Sequence, residues 1–159
     1  MVSLPSAMRP DGAGRWTPDP NREKFRCGFR YSDTGWGPTL LMDTASSFFE
    51  SDTFSQELGI RLCSASPGKA VMELEITDRH RNSHGTVHGG VIFSLADAAF
   101  AIASNGDGVP SVAINTSMTY MKAATTGVLI AEAEEFSKNP KLGSYIVQVF
   151  NGDREKIAV

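Results

Sequence analysis

The chain has little cysteine, no long apolar run and no excess of positive charge. Cys27 and Cys63 are the only cysteines among 159 residues. They form no C-x-x-C pair, which excludes a disulfide-dense scaffold, and both are expected to be reduced thiols in a cytoplasmic protein. No apolar stretch approaches the ~20 residues that span a bilayer. No apolar segment follows the first residues as a secretory leader would, so neither a membrane partner nor export is expected. Lys and Arg number 15 against 18 Asp and Glu, a net charge of -3, so nucleic acid is not an expected partner. G-x-S-x-G, the Walker loop and G-x-G-x-x-G are all missing, which removes the nucleophile-elbow, P-loop and dinucleotide-binding readings. What remains is a chain with 41% hydrophobic and 21% charged residues, ordinary for one globular domain.

Residues 1–39 read as an N-terminal arm and 40–159 as the domain. Met1 to Pro38 holds five prolines and five glycines and no lasting apolar period. Yet Trp16, Phe25, Phe29, Tyr31 and Trp36 are five of the fourteen aromatics, more than a disordered tail carries. Part of the arm is therefore expected to be ordered, docking on the domain or on a partner subunit.

From Leu40 a helical period through Met42, Ala45, Phe48 and Phe49 is expected to run to Leu58, with Gly59 as its stop. Ile60 to Ser64 and Ala70 to Ile76 read as a hairpin closed at Pro67-Gly68. The second strand sets Ala70, Met72, Leu74 and Ile76 against Val71, Glu73 and Glu75. A long helix opens at His88-Gly89-Gly90. Strands are then expected over Val112 to Met121, Val128 to Phe136, Tyr145 to Phe150 and Lys156 to Val159. Asn151-Gly152 reads as a two-residue hairpin turn. Helices followed by grouped strands indicate an α+β fold, an antiparallel sheet with one helix on its face.

The long helix carries an anomaly. Eleven of the thirteen residues from Val91 to Ala103 are apolar, and the exceptions are Ser94 and Asp97. A helix apolar nearly all round is a buried one. Ser94, Asp97, Ala101 and Ser104 share one narrow arc. Asp in mid-helix is poorly suited to the helix and too late to cap it. In an apolar setting its carboxylate is costly when charged, which raises its pKa toward the range useful for a general base. The bland alternative is a carboxylate bonded to a strand or a lysine.

The first N–H groups of that helix lack internal partners and lie at the positive end of its dipole. Gly89 and Gly90 leave that backbone open to close approach by a ligand carbonyl, which suits polarising it and stabilising an oxyanion. Gly89 and Asp97 are eight residues apart, about 12 Å along the helix, and cannot touch one carbon atom together. If both act on one substrate, Asp97 must meet the Gly89 amide of another copy. His80, His84 and His88 recur every fourth residue, but Asn82 and Gly85 argue against a helix there and no acidic or thiol ligand completes a set, so no metal is expected. His88 is expected to fix the loop or a substrate by hydrogen bonds. Cys63 reads as a small core residue before it reads as a nucleophile.

The run Asn82-Ser83-His84-Gly85-Thr86-Val87-His88-Gly89-Gly90-Val91-Ile92-Phe93-Ser94-Leu95-Ala96-Asp97 resembles the signature of hotdog-fold acyl-CoA thioesterases, of the phenylacetate-pathway (PaaI-like) group. The resemblance extends from about Asp52 to the end and includes Thr119-Tyr120-Met121-Lys122. It implies a curved antiparallel sheet around one helix, dimerised edge to edge and often paired into tetramers. It also implies thioester hydrolysis with no metal and no cofactor, coenzyme A being part of the substrate. Asp97 matches the family's catalytic carboxylate, Gly89 its carbonyl-polarising amide from the opposite subunit, and Asn82 an asparagine that holds the reacting group or water. The acyl group is expected between subunits, near Gly90, Phe93, Phe100 and Met118. Where some relatives carry a water-positioning serine this chain has Ala113, with Asn115 and Ser117 nearby. Lys138 and Lys141 are candidates for the coenzyme A phosphates. The alternatives are a hotdog hydratase or dehydratase and a non-catalytic binding protein for acyl-CoA or acyl carriers.

Overall fold

The structure, a computed structural model, describes residues 8–10, 16–18 and 39–159. The chain divides into two compact units, Met1–Arg30 and Tyr31–Val159. In the first, β1 (Met8–Pro10) pairs antiparallel with β2 (Trp16–Pro18). The rest of the expected arm, its ordering and its docking included, lies outside the described residues.

The second unit opens with α1 (Thr39–Glu50) and α2 (Thr53–Leu58). The single helix expected over this stretch is broken at Asp52, because Asp serves better as a cap than inside a helix. The Asp52 carboxylate accepts the Ser55 N–H at 3.0 Å and starts α2. Gln56 turns back to donate to the carbonyls of Phe49 and Glu50, satisfying the end of α1. Gly59 ends α2 in the left-handed conformation (φ 81°), as its position predicts.

Five strands follow in one antiparallel sheet, each hydrogen-bonded to the next in chain order: β3 (Ile60–Ser66), β4 (Lys69–Glu75), β5 (Val128–Lys138), β6 (Gly143–Asn151) and β7 (Lys156–Ala158). α3 (Gly89–Asn105) packs across β4, β5 and β6. This is the α+β arrangement that the resemblance implies. The period-2 reading of β4 holds: Ala70, Met72 and Leu74 face the helix, opposite Ala133, Ala131 and Leu129 of β5. Alanines on both layers, Ala96 and Ala99 of α3 and Ala131 and Ala133 of β5, let the helix sit close to the sheet.

Two turn readings differ in outcome. Pro67-Gly68 closes β3–β4 as expected. The β6–β7 turn is longer than two residues: Asn151 N–H donates to the Glu155 carbonyl around Gly152, Asp153 and Arg154. Arg154 takes the left-handed conformation (φ 65°), the geometry of a three-residue loop. The Asn151 side chain sets this by accepting the N–H groups of Asp153 and Glu155.

The expected strand Val112 to Met121 does not form among the described residues. Only its end is paired: Thr119 and Val159 exchange backbone bonds at 2.7 and 3.1 Å, and Met121 N–H donates to Ile157. Val112 and Ile114 stand 84% and 78% exposed. The segment has strand composition but no neighbour to pair with, and strand hydrogen bonds need one.

Cys63 is also not the reduced thiol expected. It is disulfide-bonded, so it presents no thiolate nucleophile.

Candidate active site

The loop before α3 is held by its own side chains. Arg81 donates to the Gly85 carbonyl at 2.8 Å and to Asp78 at 3.1 Å. Asn82 accepts the N–H groups of His84 (2.9 Å) and Thr86 (3.2 Å) and donates to the Thr86 hydroxyl (2.9 Å). Its side chain thus shapes the turn that delivers the chain to α3. His80 is buried beneath, its Nδ1 accepting the Thr77 N–H at 3.1 Å and its Nε2 2.9 Å from the Leu58 carbonyl. Burial is the main reason its pKa lies below the ordinary histidine value. His84 is exposed, and among the described residues no group of three or more His, Cys, Asp or Glu is placed to hold a metal ion.

His88 is the N-cap of α3, and its Nδ1 accepts the Gly90 N–H at 2.9 Å. That bond matches the expectation that His88 fixes the loop. It also consumes the Gly90 amide, whereas the Gly89 N–H finds no acceptor among the described residues. Of the two glycines, Gly89 alone keeps a free donor at the helix's positive end. It opens on a cavity of about 320 Å³ lined by Thr86, Val87, Gly89, Ile92, Tyr120, Met121, Lys122 and Ala123.

Asp97 lies elsewhere. It does not line that cavity, in keeping with its place two turns further along α3. In the single chain it is exposed, and so is Phe93 (36%), which corrects the expectation of a helix buried all round. The packed face carries Leu95, Ala99 and Ile102, while the arc of Phe93, Ser94 and Asp97 is left open. Asp97 makes no hydrogen bond or ion pair among the described residues, so the lysine-locked alternative does not hold. Its pKa is nevertheless raised above the ordinary carboxylate value, first by partial desolvation and then by the negative charge of Asp52. Ser94 is turned inward along the helix, donating to the Gly90 carbonyl at 2.8 Å.

The other candidates scatter. Phe100 packs edge-on against Tyr145, ring centres 5.2 Å apart. Asn115 and Ser117 are exposed on the unpaired segment, and Met118 is half-buried against the core. Lys138 is already paired with Asp107 at 2.7 Å, while Lys141 stays exposed. One chain therefore does not gather Gly89, Asp97 and Asn115–Met118 around one point.

Tyr120, Met121 and Lys122 of the cavity were not among the residues singled out for a role. The only signal for them was the Thr119-Tyr120-Met121-Lys122 run. Lys122 is ion-paired with Glu155 at 2.5 Å, and the Tyr120 hydroxyl donates to the Gly89 carbonyl at 3.0 Å.

Comparison with known proteins places this geometry. The thioesterase superfamily profile matches residues 84–158, the stretch from the loop before α3 through β7. The acyl-coenzyme A thioesterase PaaI of Escherichia coli is 32% identical over 116 residues, 72% of this chain and 83% of that protein. A protein of Archaeoglobus fulgidus, provisionally named an esterase, is 40% identical over 112 residues, 70% of this chain and 73% of that one. The solved structure of the E. coli PaaI protein from the phenylacetic acid degradation operon superposes with a TM-score of 0.72 at 31% identity, covering 74% of this chain and 86% of that one. By its identity to PaaI over most of both chains and by the superposed fold, the chain belongs to the thioesterase superfamily, as a PaaI-like hotdog protein.

Proposed function

We propose that this protein is an acyl-CoA thioesterase that works as a dimer, with Gly89 of one copy and Asp97 of the other on one substrate. The observation that carries the reading is the unused Gly89 N–H at the head of α3, opening on a cavity that its own Asp97 does not reach. The open arc of α3 and the unpaired, apolar 112–118 segment are the surfaces a second copy would cover. An exposed apolar segment with Val112 and Ile114 is unfavourable in a lone chain. Pairing of dimers into tetramers is compatible with this scheme.

In this scheme the thioester carbonyl accepts the Gly89 N–H. Asp97 takes a proton from water as the water oxygen attacks the carbonyl carbon. The tetrahedral oxyanion stays on the Gly89 donor, the C–S bond breaks, and Asp97 returns its proton to the departing thiolate. Free acid and coenzyme A result, and no cofactor enters the balance. In the covalent variant Asp97 attacks first and water opens the mixed anhydride. Label in Asp97 after single-turnover hydrolysis in ¹⁸O-water identifies the covalent route with water attacking the Asp97 carbonyl, and hydroxylamine trapping of the anhydride detects it where water attacks the acyl carbonyl. His88 caps the helix that presents Gly89, and Asn82 holds the loop that carries His88. Gly90, Phe93, Phe100 and Met118, with Asn115 and Ser117, are assigned to the walls of the shared acyl crevice.

The test is a thiol-release screen over short, long and aromatic acyl-CoAs, with Asp97→Asn as control. Turnover of at least one substrate is expected, with a loss of about two orders of magnitude or more in the variant, a general-base effect. Equal turnover by both proteins rejects the assignment of Asp97. Binding of acyl-CoA with no thiol release from any substrate rejects the enzymatic reading in favour of a carrier-binding protein.

A further inference from the structure

The cavity wall opposite Gly89 is supplied by a residue with no assigned role. Tyr120 follows α3 by fifteen residues and reaches its first turn from the far side of the unpaired segment. Its position is set by the end of the chain. Thr119 and Val159 exchange backbone bonds, Met121 N–H donates to Ile157, and Ile157 is fully buried in the core. From this anchored stretch the Tyr120 hydroxyl donates to the Gly89 carbonyl at 3.0 Å. The ring also occupies the space beside the Gly89 Cα. A Cβ built at Gly89 would lie 3.3 Å from both Cζ and the hydroxyl oxygen, tighter than ordinary van der Waals contact.

We infer that Tyr120 is a positioning residue for the proposed thioester hydrolysis, holding the first turn of α3 so that the Gly89 N–H faces the cavity. The carbonyl it grips belongs to the peptide next to the one that carries this N–H. A hydrogen bond on one side of Gly89 and a ring packed on its Cα restrict how that peptide pair can turn. Gly89 would otherwise be the loosest point of the turn, since glycine has the widest range of backbone conformations. The same packing gives a reason for glycine here: the tyrosine ring takes the place of a side chain. Tyr120 acts through Gly89, so its removal should weaken transition-state stabilisation more than substrate binding.

This rests on the thioesterase reading, and Tyr120→Phe tests it in the full chain. With the best acyl-CoA of the screen, kcat should fall about threefold to tenfold, the worth of one neutral hydrogen bond, while KM stays within about twofold and the melting temperature is kept. Unchanged kcat, or a raised KM at equal kcat, overturns the proposal. Gly89→Ala gives a second readout. Its loss of kcat should shrink at least several-fold in a Tyr120→Ser background, where the ring that meets the new methyl is gone. An equal loss in both backgrounds overturns the packing argument. If the wild-type chain hydrolyses no acyl-CoA, the enzymatic reading fails separately, and the Gly89 amide cross-peak in a ¹⁵N NMR spectrum decides for Tyr120. A shift in Tyr120→Phe supports the contact, and an unmoved peak rejects it.

Discussion

The two faces of α3 belong to one largely apolar helix and have opposite fates. On one, Leu95, Ala99 and Ile102 are 0–2% exposed against the sheet, placed by contacts the chain makes with itself. On the other, Phe93 (36%) and Asp97 stay exposed among the described residues. An apolar helix surface therefore reports that burial is needed somewhere, not that the same chain provides it. The sheet repeats the lesson. β5 is paired along both edges, whereas the strand-like 112–118 segment is paired along neither among the described residues.

Substitutions on the two faces should separate these roles. Leu95→Ala, on the packed face, should cost about 2–5 kcal/mol of stability by cavity formation, read by urea unfolding. A cost under about 1 kcal/mol would mean the packed face is looser than its burial indicates. Asp97→Ala, on the open face, should do the reverse: turnover drops about a hundredfold or more while the midpoint of unfolding stays put or rises. A large drop in stability there would return Asp97 to a structural role.

A smaller effect is expected at the segment edge. Ile114→Lys should alter the stability of the isolated chain by no more than about 0.5 kcal/mol, since the side chain is exposed. In the proposed dimer it should shift sedimentation toward the single chain and reduce turnover in parallel. Wild-type sedimentation and turnover together would remove this segment from the interface.

The smallest effect concerns pH. Because desolvation and then Asp52 raise the Asp97 pKa, the acid limb of kcat/KM should lie above the ordinary carboxylate range, activity being lost as pH falls through it and Asp97 protonates. Asp52→Asn keeps an N-cap for α2 but removes the charge. The limb should then move to lower pH; an unmoved limb, or one that moves up, contradicts the coupling.

Much of the fold was legible because its signals are local. The period-2 pattern of β4, the Pro67-Gly68 turn, the Gly59 stop and the start of α3 at His88-Gly89 each depend on a few neighbouring residues. The misses involved competition or distance. At Asp52 the helical period runs on, but the side chain does better as a cap. Asn151-Gly152 matches a two-residue turn, but the Asn151 side chain organises a longer one. Of the candidate site, the helix start and the separation of Gly89 from Asp97 could be read from helical geometry. Tyr120 could not, because its partner lies 31 residues away.

Sequence by itself determined that α3 exists, that His88 precedes its first turn, that Gly89 stands bare at its head, and that one acidic residue interrupts its apolar run. These follow from backbone periodicity and from the unpaired N–H groups every helix start carries. Only the tertiary structure decided that Gly90 rather than Gly89 gives its amide to His88, that Gly89 lines the cavity with Tyr120 packed beside it, and that Asp97 and the 112–118 segment are left uncovered among the described residues. Those outcomes depend on which distant surfaces meet, and no local pattern of residues encodes the absence of a neighbour.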